Sequence, residues 1–303
     1  MKITLEEIQV FLTVVDSGSL TAAARELGLT VSAASRSLGR LEDKLQTELL
    51  RRTTRRMVLT EEGNCFLSQA RAIQQAVENA EENMAALRVQ PAGRLRVDAA
   101  TPFMLHVVAP LVPGYRERHP LIDLELTCNE GVIDLLEQRT DLALRIGPLK
   151  DSTLRSRLIG YSRLRLLASP AYLQRQGVPR RAADLARHTL LGFNQPETLN
   201  RWPVRGLTAA VSPALRVSSG ETLRQLALHG AGIVCLSDFM TGEDRAQGRL
   251  LPLLENLMPG ARQPVHAVYY RNSGIPARIA TFVDYLVQAV RDGHAPLDPV
   301  AAR

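Results

Sequence analysis

Cysteine is scarce: Cys65, Cys128 and Cys235 are the only three in 303 residues, with no CxxC pair and no metal-ligand spacing among them. An odd count spread so widely excludes a disulfide framework and fits a reducing compartment. Each thiol reads as a small buried hydrophobe. Long apolar runs are missing too, and no stretch approaches the ~20 residues of a membrane span. The opening residues, MKITLEEIQVF, place acids where a signal peptide would need a clean apolar run. That predicts a cytoplasmic protein with no membrane partner. Catalytic signatures are equally absent. There is no GxSxG and no HExxH, and the six histidines are scattered without a close Asp or Ser partner in sequence. Gly230-Ala231-Gly232 opens a GxG but lacks the third glycine and precedes a strand-like stretch, which is the wrong order for a dinucleotide turn. No catalytic residue, cofactor or metal is expected, and the chain does not read as an enzyme.

What is there is a globular composition, 45% hydrophobic and 22% charged, at a length that suits about two domains. The net charge of +6 suits a polyanionic partner. Its distribution is less helpful: residues 1–60 hold nine Lys/Arg against seven Asp/Glu, residues 61–90 two against five, and residues 91–303 hold 26 against 19. Bulk charge therefore does not single out a nucleic-acid-binding end; the placement of the charges does.

The chain is organised around SLTAAARELGLTVSAASRSLGRLEDKL, residues 19–45. Ser19 suits the N-cap of a first helix carrying Ala22, Ala23 and Ala24, packed where backbones approach closely. Gly28 supplies a left-handed residue after it, and Thr30 caps a second helix. In that helix Ala34, Leu38, Leu41 and Leu45 form a core-facing stripe, while Ser32, Ser35, Arg36 and Arg40 occupy the other face. Small hydroxyls beside guanidiniums are what a helix entering a major groove requires. A preceding helix carries Leu5, Ile8, Leu12 and Val15 and ends near Ser17-Gly18. Downstream, Arg51, Arg52, Arg55 and Arg56 flank Thr53-Thr54 in a short predicted hairpin, a wing well placed for phosphates.

Thr60 then caps a long helix with Glu61 and Glu62 at its positive end. Phe66, Ala70, Ile73, Val77, Ala80, Met84 and Leu87 follow at steps of 4, 3, 4, 3, 4 and 3, with no Gly or Pro from Asn64 to Gln90. A ladder that regular predicts a partner helix, and so a homodimer. Pro91-Ala92-Gly93 ends it. From Leu95 strands and helices alternate, predicting an α/β domain with a largely parallel sheet. Expected strands are 95–99, 122–127, 141–146, 165–168, 233–236 and 265–270. Expected helices begin at Thr101 (as N-cap, with Pro102 at the first helical position), Val132, Pro170 and Ala277, and one is capped at Ser219.

Residues 1–65 resemble the winged helix–turn–helix of LysR-type transcriptional regulators. The resemblance rests on Phe11, Gly18-Ser19, Ala23-Ala24, Leu27, Ser35-Arg36, Leu41-Glu42, Leu45, Arg52, Arg55 and Leu59-Thr60-Glu61-x-Gly63. It extends over the whole chain, and 168–172 and 220–240 resemble the CrgA-like branch. The pattern departs at Val31, Gln46 and Leu50, where the family often has Gln, Gly and Phe. Val31 would touch a thymine methyl or pack inward. The resemblance implies an α/β architecture of winged helix–turn–helix (1–60), linker and dimerisation helix (61–90) and a two-lobed, periplasmic-binding-protein-like effector domain (91–303). Lobe I would comprise about 94–162 with 266–303, lobe II about 163–265. Implied partners are double-stranded DNA, a small-molecule effector, a second copy of the chain (dimer, then tetramer) and RNA polymerase. Thr21, Thr30, Val31, Ser32, Ser35, Arg36, Arg40, Arg52, Arg55 and Arg56 are the expected DNA contacts. The family's cleft maps onto Thr101, Asn129, Glu130, Arg145, Asn194, Ser218, Ser219 and Leu236. Helix starts at Thr101 and Ser219, with Arg145 adding a bidentate partner unless it is spent on an ion pair, point to a carboxylate effector.

Overall fold

A computed structural model describes residues 2–52, 57–86, 91–131, 135, 138–149, 154–270 and 275–300. The chain divides into two compact units, one of residues 1–89 with 134–140 and one of residues 90–133 with 141–303.

In the first unit, α1 (Leu5–Ser17), α2 (Leu20–Glu26) and α3 (Val31–Leu45) precede a hairpin of β1 (Leu50–Arg52) and β2 (Met57–Leu59), and α4 (Glu61–Ala86) follows. Local chemistry sets each boundary. Thr4 and Glu7 form a reciprocal capping box on α1, and Gly18 ends that helix at φ 68°. Ser19 Oγ accepts from Ala22 N at 3.0 Å and Thr30 Oγ1 from Ala33 N at 3.2 Å. Ile8, Phe11, Leu12, Ala23, Ala24, Ala34, Leu38 and Leu41 form the core. Two expectations need correction there: Leu5 is 52% exposed, and Ala22 faces outward. α1 buries a face centred on Phe11 instead, since Val10, Phe11 and Val14 are all at most 1% exposed. Gln46, where the family often has Gly, ends α3 in the left-handed region at φ 53°.

The second unit is built on β3 (Gly93–Ala99), β4 (Ile122–Cys128), β5 (Leu142–Ile146), β6 (Arg155–Ala168), β7 (Leu191–Phe193), β8 (Leu215–Val217), β9 (Val234–Ser237), β10 (Leu251–Leu253) and β11 (Arg262–Tyr269). Its main sheet runs β10-β6-β11-β5-β3-β4, with β9 also pairing with β6. The sheet is mixed and not largely parallel. β3 is parallel to β4 and β5, but β11 is antiparallel to β5 and β6, and β6 to β9 and β10. The reason is topological: the chain leaves the first half of the unit along β6 and returns along β11. Neighbouring outgoing and returning strands must oppose one another. Helices α5 (Thr101–Phe103), α6 (Ala109–Arg118), α7 (Pro170–Gln176), α8 (Gly220–Leu228), α9 (Asp238–Ala246) and α10 (Ala277–Arg291) cover the faces, with a π-helical turn, Met104–Val108, joining α5 to α6. Ala100, not Thr101, is the N-cap of α5, and it makes no side-chain cap. The helix expected from Val132 falls largely on residues outside those described. Cys65 and Cys128 are exposed, against expectation, and Cys235 is buried. Among the described residues no helix is long and apolar enough to cross a membrane.

Candidate nucleic-acid interface and ligand cavity

The recognition face is built by α3. Its inward stripe of Ala34, Ser37, Leu38 and Leu41 is buried, which turns Val31, Ser32, Arg36 and Arg40 outward, with Ser35 half-buried between them. Thr21 and Thr30 are exposed nearby on α2 and at the cap. Val31 is 45% exposed and lies outside the buried core, so the inward alternative falls away. Arg40 is not wholly available: its Nε lies 3.5 Å from Glu7 Oε1. Glu7 also accepts from Lys44 Nζ at 2.7 and 2.8 Å. Burial alone would raise the Glu7 pKa, but Lys44 and the Thr4 backbone N–H hold it below the usual carboxylate range. This part-buried pair ties α3 to α1. Glu42 fixes the wing, accepting from Leu49 N at 2.8 Å and Leu50 N at 3.2 Å through one oxygen. Thr53, Thr54, Arg55, Arg56 and the Arg52 side chain lie outside the described part.

α4 uses its apolar ladder in two ways. Phe66 packs on Phe11 with ring centroids 5.3 Å apart, and Ala70 is fully buried in the core of the same unit. The first two rungs therefore serve their own domain, a correction to reading the whole ladder as a partner seam. Ile73 is 40% exposed, Val77 is half-buried and Ala80 exposed. The Met84 side chain and Leu87 are beyond what is described.

In the second unit a cavity of about 290 Å³ opens between α5, β5, the 193–201 segment, α8 and the β9–α9 junction. Of the residues expected there, Asn129, Glu130, Arg145, Ser218 and Leu236 line it. Thr101, Asn194 and Ser219 do not; their neighbours Ala100, Pro102, Gln195 and Gly220 do. Ser219 Oγ accepts from Glu221 N at 3.3 Å and is spent as a cap, and Asn194 Oδ1 accepts from Gln195 N. Arg145 is also engaged, donating to Gly131 O at 2.9 Å and lying 4.0 Å from Asp98. Asp98 is fully buried and accepts from Asn129 Nδ2 at 2.5 Å; burial pushes its pKa up against the pull of Asn129 and Arg145. Behind the polar rim the walls are apolar: Leu144, Ile146, Leu164, Phe193, Phe239 and Met240. Phe103, outside the lining, meets Phe239 edge-on with centroids 5.3 Å apart.

Sequence reasoning missed Arg201. It lines the cavity, and among the described residues its guanidinium has no side-chain partner. The preceding turn holds it in place: Asn200 accepts from Phe193 N and donates to Phe193 O, both at 2.8 Å. Gly192 is required beneath this clamp, because a Cβ there would lie 2.4 Å from Asn200 Oδ1. Nothing in the local sequence announces Arg201, since its neighbours in the cavity come from distant segments. Among the described residues no cluster of His, Cys, Asp or Glu could hold a metal.

Comparison with known proteins fits this architecture. Residues 5–64 match the family model of the bacterial regulatory helix-turn-helix protein, lysR family, and residues 88–291 that of the LysR substrate binding domain. The chain is 46% identical over 291 residues to the HTH-type transcriptional regulator CrgA of Neisseria meningitidis serogroup C, covering 95% of this chain and 97% of that one. The solved structure of CrgA from Neisseria meningitidis superposes with a TM-score of 0.64 at 45% identity, over 95% of this chain and 99% of that one. A full-length OxyR variant from Pseudomonas aeruginosa gives a TM-score of 0.77 over 100% of both chains, but at 18% identity the likeness is one of fold.

Proposed function

The chain belongs to the LysR family of transcriptional regulators, and from that premise we propose which of its surfaces carry each binding event. It has a helix-turn-helix DNA-binding domain and an effector-binding domain. The outward row of α3, with Val31, Ser32, Ser35, Arg36 and Arg40, is the major-groove face, flanked by Thr21, Thr30 and the wing arginines Arg52, Arg55 and Arg56. The observation that carries this is the division of α3 into one buried apolar stripe and one exposed stripe of small polar and basic side chains. The exposed part of α4, from Ile73 onward, is the seam for a second copy. Two winged domains would then meet half-sites about one helical turn, ~34 Å, apart or a multiple of that. We place the protein in the cytoplasm, acting by binding and not by catalysis.

Arg36→Ala should weaken binding to all duplexes alike and flatten the slope of log K against log[salt] by about one, because one phosphate contact releases about one counterion. A slope unchanged from the parent would remove α3 from the backbone. For the cavity we propose a small carboxylate with an apolar body, its charge on Arg201 at the rim and its body among Phe193, Leu236 and Phe239. Arg145 is already held by Gly131 and Asp98, so Arg201 replaces it as the anchor. A ligand at a hundred times its Kd adds ~2.7 kcal/mol to stability. Differential scanning fluorimetry of the full chain with a panel of aromatic and aliphatic carboxylates should therefore find a stabiliser whose amide counterpart is inert. Arg201→Ala should weaken that ligand roughly three- to tenfold, allowing for solvent around an exposed guanidinium. Equal stabilisation by acid and amide would rule out the anionic anchor.

A further inference from the structure

We propose that Val31 reads the 5-methyl group of a thymine, so that this regulator selects a T·A pair in each half-site by apolar contact. The proposal rests on α3 being the recognition helix and adds the chemistry of one position on it.

Val31 is the first residue of α3, where the N-terminal turn of a recognition helix faces base edges. It is among the exposed large hydrophobic side chains of the first unit, at 45%, and is not part of the buried cluster. Burial in the core thus does not account for an apolar residue here. Its two flanking hydroxyls are occupied with each other: Thr30 Oγ1 accepts from Ala33 N at 3.2 Å and lies 3.1 Å from Ser32 Oγ. The side chain between them has no donor or acceptor of its own. A β-branched residue in a helix holds essentially one χ1 rotamer, so its two methyl groups are presented in a fixed direction with little entropy left to lose on contact. Ser35 lies one turn further along the same stripe. In the major groove the four base-pair orientations differ in donors and acceptors, and thymine alone offers a methyl group. A methyl–methyl contact there removes apolar surface from water on both sides.

The test uses the full chain. Duplexes with a randomised core of about three helical turns are selected by the parent protein, and every thymine of the enriched sequence is then replaced singly by deoxyuridine, which removes the methyl group and leaves pairing intact. At one symmetry-related pair of positions the parent should lose affinity about fourfold per half-site, the worth of one buried methyl-sized group. Val31→Ala should bind the thymine duplex more weakly by a similar factor and show no further loss with deoxyuridine there, while keeping the parent's salt slope and melting temperature. Selection with Val31→Gln should move the preferred base at that position toward adenine, the partner of a bidentate amide. A uridine scan in which no position is coupled to Val31, with enrichment and Arg36 dependence intact, overturns the thymine assignment alone. Failure of the parent to enrich any sequence, with no effect of Arg36→Ala, overturns the recognition-helix reading and this proposal with it.

Discussion

Replacing Arg278 by Met should lower the unfolding free energy of the effector unit by about 3–5 kcal/mol, the usual cost of removing one member of a buried ion pair. Arg278 is 2% exposed near the start of α10, and its Nη2 lies 3.0 Å from Asp141 Oδ1. Asp141 in turn accepts from Arg96 N at 2.8 Å. The pair therefore fixes α10 to the neighbouring strands β3 and β5 of the sheet. Without the guanidinium, Asp141 keeps its hydrogen bond from Arg96 N but loses the Arg278 ion pair in a place water does not reach. The chain has a single tryptophan, Trp202, buried at 5% exposure in the second unit, so intrinsic fluorescence in a urea titration reports on that unit alone. Asp141→Asn in the Arg278→Met background should restore part of the loss, because the charge that Arg278 balanced has gone. A loss of less than about 1 kcal/mol in unfolding free energy in the single variant would show the pair to be dispensable.

Gly63→Ala should act on the other unit and leave the Trp202 transition where it was. A Cβ at Gly63 would sit 2.1 Å from Leu49 O, 3.0 Å from Leu49 C and 3.1 Å from Leu59 Cδ2. Two of those three atoms are backbone, so no rotamer change relieves the collision. The first turn of α4 must back away from the strand that opens the wing. Thr60 resists this, since its Oγ1 accepts from Gly63 N and donates to Glu48 O, both at 2.8 Å. Overpacking of this kind costs about 2–3 kcal/mol. The better helix propensity of Ala returns at most about 1 kcal/mol. Because the wing and α4 move apart, affinity for an operator fragment should drop at least tenfold, by an electrophoretic shift at fixed salt, while the effector unit still binds its ligand. Unaltered DNA affinity would mean that the wing adjusts without consequence. The same contact explains why a glycine closes the Leu59-Thr60-Glu61-x-Gly63 pattern.

Much of the first unit was legible because its signals are local. Caps at Ser19 and Thr30, the left-handed Gly18 and Gly28, and the stripe Ala34-Leu38-Leu41 each act within a turn or two of chain, so their spacing alone places the helices. α10 was legible for the same reason, and its bounds fall at Ala277 and Arg291. Periodicity went wrong where it had to name what an apolar face meets. Phe66 and Ala70 carry the same heptad phase as Ile73 and Val77, yet the fold brings Phe11 and the core of α1 against the first pair, and a spacing rule contains no such coordinate.

The effector unit divides along the same line. Alternating strands and helices determined an α/β domain, and the motif residues of the winged domain determined the family. Strand direction did not follow, because β6 and β11 become neighbours only through pairing between residues about a hundred positions apart, such as Arg163 and Arg262. Nor did the cavity. Thr101 and Ser219 have the residue type a helix N-terminus offers an anion, but the turn geometry spends Ser219 on its own cap and points their neighbours inward. Arg145 has the right charge, and Asp98 and Gly131 claim it. Arg201 has no sequence signature and gains its place from the Asn200–Phe193 clamp. Short-range hydrogen bonding and periodic burial are written in the order of residues. Which charges are already paired, and which apolar rungs are already covered, depends on long-range contacts, and these only the tertiary structure decided.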